Sequence, residues 1–143
     1  MKENLMDVEN LLFRLRDALN THDIETFVSC FDENYYSEQP VHPDRRFQGR
    51  EQVKKNWSSN FDEMPDFFAQ LIRYSMNNDS VWTEWEWQGT RRDNSKMFMR
   101  GIMIIGVQND KITWGRLYVE PVEVSGKGIE AAVKEVMQGK KNS

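Results

Sequence analysis

The chain has 143 residues, a formal charge of -4 and 29% charged residues, with the two signs interspersed. That length buries one core and is short for two ordinary ones, and the mixed charge builds no broad positive field of the kind nucleic acid requires. No apolar run approaches the roughly 18 residues that span a bilayer, and Met1-Lys2-Glu3-Asn4 leads into an amphipathic helix rather than a secretory leader, so the sequence predicts one cytoplasmic domain over residues 1–143 with neither a membrane nor a nucleic-acid partner.

Leu5, Val8, Leu12, Leu15 and Leu19 recur at steps of three and four, which predicts a first helix with one apolar stripe. Asn20 to Asp23 break it, and Asp23 is placed to cap a short second helix carrying Ile24, Phe27, Val28 and Phe31. Cys30, the lone cysteine, sits between Phe27 and Phe31 and suits a small buried residue rather than a disulfide. Residues 35–43 contain Pro40 and Pro43, which rules out a regular helix and predicts an extended strand and loop. Gly49 then precedes a helix of about three turns on Val53, Trp57 and Phe61, closed by Pro65.

From Asp66 the period changes to two. Four predicted strands are separated by turns at Asn77-Asn78-Asp79, Asp93-Asn94-Ser95 and Asn109-Asp110, the pattern of an antiparallel meander. Val81, Thr83, Trp85 and Trp87 fall on one face of the second strand, and Trp82, Glu84, Glu86 and Gln88 on the other. Residues 126–143 form a tail, with Ile129, Ala132, Val133, Val136 and Met137 on a last short amphipathic helix and the basic pair Lys140 and Lys141 near its end. Five Trp, eight Phe and four Tyr supply bulky rings for a core or a pocket wall. The fold class that follows is α+β, with a curved antiparallel sheet wrapped around the N-terminal helices.

The order helix, helix, strand, helix, four-strand meander resembles the nuclear transport factor 2-like superfamily, in its SnoaL-like, polyketide cyclase-like branch. Asn20-Thr21-His22-Asp23 is similar to the turn between that branch's first two helices. Gln39-Pro40, Phe47-Gln48-Gly49-Arg50-Glu51, Glu84-Trp85, Gln88-Gly89-Thr90 and Asn109-Asp110-Lys111-Ile112 resemble its later motifs, with Arg116 and Tyr118 in the last strand. The resemblance implies a cone with an internal apolar pocket and pairing of two copies through their sheets. It also aligns the cyclases' acid/base His and Asp with Met103 and Leu117, neither of which carries a transferable proton. By the same comparison Met99, Gly101, Met103, Ile105, Gly115, Leu117 and Val119 face inward, and Arg100, Trp114, Arg116 and Tyr118 face outward beside Trp82, Glu84 and Glu86.

The candidate ligand-binding residues are therefore Gln39, Trp57, Trp85, Met99, Met103 and Leu117. Each has an ordinary alternative: the tryptophans as core, and Gln39 as a loop residue satisfying a carbonyl. Glu38, His42 and Glu120 are the weak catalytic candidates. Glu38 and His42 form a titratable pair only if both turn inward, and Glu120, where the superfamily often has an acid, also reads as a strand-end structural carboxylate. Arg116 and Glu84 are expected as a plain exposed cross-strand pair if no second sheet covers them. Two separated histidines and one cysteine give no metal-ligand spacing, and no Gly-rich phosphate loop or nucleophile triad stands out, so neither a metal nor a cofactor is expected.

Three functions follow. One is a binder of a small lipophilic or aromatic molecule. A second is an isomerase, hydrolase or cyclase-like enzyme using Glu38, His42 or Glu120 on a lipophilic substrate. The third is an interaction module acting through its sheet face or terminal helix, its hollow filled by its own side chains. A homodimer through the sheet face is expected in any of them.

Overall fold

A computed structural model describes residues 4–139 of the chain. The basic pair Lys140 and Lys141 lies outside the described residues. Helix α1 (Leu5–Thr21) starts at Asn4, whose side chain accepts a hydrogen bond from the Asp7 backbone N–H at 2.9 Å. Its buried stripe is Val8, Leu11, Leu12, Leu15, Ala18 and Leu19, while Leu5 in the first turn is exposed. His22 ends it in the left-handed conformation (φ 56°), and Asp23 caps α2 (Ile24–Ser29) by accepting from Thr26 N–H.

Strand β1 (Phe31–Glu38) is followed by a 3-10 turn at Pro43–Arg45, the two-residue β2 (Phe47–Gln48) and α3 (Arg50–Glu63). Gly49 has φ 99°, a backbone region that side chains resist, so the turn into α3 needs a residue without Cβ. At 14 residues α3 is nearly four turns rather than three; it runs on past Phe61 until Met64 takes over as its C-cap. The remaining strands are β3 (Phe68–Asn77), β4 (Ser80–Thr90), β5 (Lys96–Gln108) and β6 (Lys111–Pro121), followed by α4 (Ile129–Met137). Asn78, Asn94, Asn109 and Asp110 all have positive φ, the conformation in which Asn and Asp are least disfavoured and which tight hairpins demand.

The six strands form one curved, unclosed sheet in the order β2-β1-β6-β5-β4-β3. Every adjacent pair is antiparallel except β1 with β6, so the sheet is mixed rather than wholly antiparallel. That exception follows from the topology: the chain leaves β1, crosses α3 and three hairpins, and returns beside β1 running the same way. Register shifts at Phe31/Tyr36, Leu71/Arg73 and Gly106/Val107 add local bends. At Gly101 the backbone of β6 comes so close that a Cβ would lie 2.0 Å from the Tyr118 carbonyl oxygen, so β5 and β6 pack there only without a side chain.

The concave face of the sheet meets the helices. Leu11, Leu12 and Leu15 of α1, Trp85 of β4, Ile105 of β5 and Ile112 of β6 are essentially inaccessible in one continuous core. Burying each such side chain contributes about 1.5–3 kcal/mol. The convex face carries Trp82, Glu84, Glu86, Arg100, Ile102, Trp114, Arg116 and Tyr118. Helix α4 stands differently: Ile129, Val136 and Met137 are each about four-fifths exposed, so its apolar side has no cover within one copy.

Candidate ligand-binding site

Between the concave face and the helices lies a cavity of about 190 Å³. Leu15 and Leu19 of α1 and Phe27 of α2 form its floor, and Val53 and Trp57 of α3 form one wall. Strand alternation brings Tyr35, Ser37 and Gln39 to a second side, and Phe31 joins them from the start of β1, across a register shift that leaves Glu33 exposed. Trp85 and Trp87 of β4, Met103 of β5 and Leu117 of β6 complete it. The more accessible lining residues, Gln39, Phe47, Asn56 and Asn60, mark the opening between α3 and the β1–β2 loop.

No lining side chain is charged. The polar groups are few, and most are occupied. Trp85 Nε1–H donates to Thr83 Oγ1 at 2.8 Å, and that hydroxyl donates to the Met103 carbonyl at 2.6 Å, a buried relay joining β4 to β5. The Tyr35 hydroxyl, in hydrogen-bond contact with Ser37, is pushed up to about 12 by burial; Gly115 makes room for it, since a Cβ there would lie 2.4 Å from the Tyr35 oxygen. Gln39 Oε1 accepts from Arg45 at 3.1 Å, and Asn56 Oδ1 from Gln52 at 2.7 Å. Trp87 differs: among the described residues its Nε1 is the one buried side-chain nitrogen or oxygen without a hydrogen-bond partner. Burial also pushes up the thiol of Cys30, which lies under α1 outside the cavity.

Of the residues singled out from sequence, Gln39, Trp57, Trp85, Met103 and Leu117 line the cavity. Met99 does not. It is partly buried beside Trp87, its cross-strand neighbour on β4, without itself lining the hollow. Glu38, His42 and Glu120 are also outside the lining, and Glu38 and His42 are not brought together. Glu38 alternates away from Ser37 to the convex face, where its Oε1 accepts from Arg116 at 2.5 Å. His42 Nε2 instead hydrogen-bonds Glu120 Oε1. The expected Arg116–Glu84 pair is absent, because β5 lies between their strands; Glu84 pairs with Arg73 directly opposite on β3, at 3.0 Å. Among the described residues no group of three or more His, Cys, Asp and Glu side chains could hold a metal ion, and no helix is long and apolar enough to cross a membrane.

Tyr35, Ser37, Phe47, Asn56, Asn60 and Trp87 also line the cavity without having been singled out as candidates. Two signals were available: the alternation Tyr35, Ser37, Gln39, and the i, i+4 spacing of Asn56 and Asn60 on the helix that carries Trp57. Trp87 shares its strand face with Trp85, so the same alternation that marks one marks both.

Comparison with known proteins agrees with this architecture. The family model described as the SnoaL-like domain matches residues 12–115. Among solved structures, AclR of Streptomyces galilaeus, a hydroxylase by provisional assignment, superposes with a TM-score of 0.71 at 10% identity over 82% of this chain and 91% of that one. A nuclear transport factor 2-like protein from Anabaena variabilis gives 0.69 at 19% identity, over 82% and 90%. A hypothetical protein of ketosteroid isomerase-like fold from Catenulispora acidiphila, solved in complex with trimethylamine, gives 0.65 at 11% identity, over 74% and 82%. No curated protein matches the chain.

Proposed function

Because the chain belongs to the SnoaL-like domain family, we propose that its hollow binds a small, uncharged, lipophilic or aromatic molecule. The observation that carries this reading is the lining itself: a cavity of about 190 Å³ walled by aromatic and aliphatic side chains, without one formal charge. Such a hollow favours apolar surface leaving water and penalises an ion, which would lose its hydration with nothing to replace it. Glu38 pairs with Arg116 and His42 with Glu120 outside the cavity, and with Met103 and Leu117 on its wall the hollow offers no carboxylate or imidazole for proton transfer. Binding without catalysis by those groups is the function we assign.

The working unit in this reading is a homodimer joined through the convex sheet face. Trp82 is 45% exposed there, beside Ile102, Trp114 and Tyr118, and its charges are already matched within the copy as Arg116–Glu38, Arg100–Glu86 and Arg73–Glu84. A face whose charges are neutralised in place loses less on being covered than one with unpaired ions. The buried free thiol of Cys30 suits a reducing compartment, and the proposal keeps the cytoplasm as the location and residues 1–143 as one domain.

Native mass spectrometry of the full chain, purified and then incubated with a metabolite-rich extract, tests both parts. The expected spectrum shows a dimer carrying a small neutral mass on each subunit, and the added mass is absent from Leu117→Trp, whose larger ring fills the hollow. Retention of the same mass by Leu117→Trp, or no added mass on either protein, contradicts the binding reading.

A further inference from the structure

We propose that Asn60 sets the specificity of the hollow, and that the molecule bound is a compact, neutral ring compound whose polar edge carries a donor and an acceptor side by side, as a carboxamide does. This rests on the binding reading above and narrows it to a chemical class.

Asn60 breaks the pattern of its own helix. The inward stripe of α3 runs Val53, Trp57, Asn60 and the C-cap Met64, at steps of four, three and four. Val53 and Met64 are buried and Trp57 packs against the core, so the third place in the stripe is one where a helix ordinarily sets an aliphatic side chain. Asparagine is also a weaker helix former than leucine, because its side chain competes for backbone hydrogen bonds. Nothing within the fold offsets this: the Asn60 side chain makes no hydrogen bond among the described residues. A residue that breaks the local rule without a structural return is expected where a ligand is met.

Its amide is open to a guest. Asn60 lines the hollow and is half-buried. Trp87 Nε1 is the one unpaired side-chain polar atom sealed from water among the described residues, so both ends of the unpaired Asn60 amide are within reach of water. The other polar side chains of the lining are at least partly engaged. Ser37 is in hydrogen-bond contact with the Tyr35 hydroxyl, and the oxygens of Gln39 and Asn56 accept from Arg45 and Gln52. Among the lining amides Asn60 thus offers its Oδ1 and its Nδ2–H groups together. Such an edge pairs bidentately with a donor set next to an acceptor, and it asks for no charge on the guest. The uncharged lining agrees, since a carboxylate or an amine ion would find no counter-charge there. Size sets the rest: an apolar cavity of about 150 Å³ accommodates benzene, so one of about 190 Å³ takes a single ring with a short substituent.

Three probes of nearly one shape isolate the amide. Benzamide, acetophenone and α-methylstyrene carry C(=O)NH2, C(=O)CH3 and C(=CH2)CH3 on the same ring, and so offer Asn60 an acceptor with a donor, an acceptor only, and neither. Each is titrated by NMR into the isotope-labelled full chain and into Asn60→Leu, following the methyl signals of Met103 and Leu117 and, in the unaltered chain, the Asn60 side-chain NH2 signals assigned through that residue's own backbone. Comparing one probe between the two chains cancels the probe's own hydration. The expected result is that all three shift the methyl signals and that Asn60→Leu binds benzamide roughly tenfold and acetophenone roughly threefold more weakly, while α-methylstyrene binds at least as tightly as before. Benzamide is also expected to move the Asn60 NH2 signals. If those signals stay still under benzamide, or the three probes lose affinity alike in Asn60→Leu, the Asn60 assignment is overturned and the cavity remains a binding site. Methyl signals unmoved by every probe overturn both this inference and the binding reading. Because the NH2 shift is read on the unaltered chain, the test stands even where Asn60→Leu folds poorly.

Discussion

The two faces of this one sheet solve opposite problems with alternate residues of the same strands. On the concave side Trp85, Trp87, Met103 and Leu117 meet the helices around an uncharged hollow, and the one orphaned buried donor among the described residues is there. On the convex side Glu38, Glu84, Glu86, Arg73, Arg100 and Arg116 are drawn into ion pairs that tile around exposed aromatic surface. A strand with period two keeps the two chemistries apart without any change of backbone. The difference teaches that the titratable residues gather on the face without the hollow, while the hollow itself is lined without charge.

A charge placed on each face in turn breaks the comparison most strongly. Met103→Asp on the concave side buries a carboxylate without a partner, so chemical denaturation is expected to show a loss of about 3–5 kcal/mol. Trp82→Asp on the convex side is expected to cost the monomer under about 1 kcal/mol and instead to halve the mass seen by light scattering. Similar stability losses at the two positions would mean the faces do not differ as described.

Alkaline pH probes the concave face through Tyr35. The Tyr35 hydroxyl titrates at about 12 in the folded chain, above its ordinary 10, so burial favours its protonated form. That contribution is fully present below pH 10, where the hydroxyl is neutral in both states. It falls away from pH 10 as the unfolded chain ionises, and is lost once pH passes about 12, for a decline of about 2–3 kcal/mol. Stability curves across this window should be flatter for Tyr35→Phe.

The two tryptophans of β4 sharpen the picture further. Trp85→Phe removes the donor from which the buried Thr83 hydroxyl accepts, whereas Trp87→Phe removes a donor that had no partner. Both lose the same atoms, yet Trp85→Phe should be the more destabilising by about 1–2 kcal/mol in urea melts. Smallest of all is Arg116→Ala on the convex side. Arg116 is 43% exposed and Glu38 30%, so solvent screens their pair and breaking it should leave the monomer's melting nearly unchanged.

Much of this was legible in the residues. The stripe Val8, Leu12, Leu15, Leu19, the cap at Asp23, and the Asn and Asp turns are local signals, and they produced the elements at the expected places. Gln39, Trp57, Trp85, Met103 and Leu117 reached the hollow because side-chain alternation and helical spacing fix direction as well as structure. What sequence could not convey was pairing between distant strands. That β1 runs parallel to β6 decides that Glu38 meets Arg116, and that β5 separates β6 from β4 decides that Glu84 meets Arg73 instead. Alternation puts Met99 on the inward side beside Trp87, but which inward residues line the hollow depends on the helices packed over them, which a strand pattern does not convey. Whether an indole N–H finds an acceptor is likewise a matter of tertiary neighbours, so Trp85 and Trp87 look equivalent in the sequence and are not.

The central claim, that the concave face encloses space for an apolar guest, is tested most directly by a crystal of the full chain pressurised with xenon. Xenon enters dry apolar cavities and is unmistakable by its scattering. The expected density is a xenon atom in contact with Trp57, Trp85, Met103 and Leu117; a hollow closed by the ring of Trp57, with no xenon among those four residues, would contradict it.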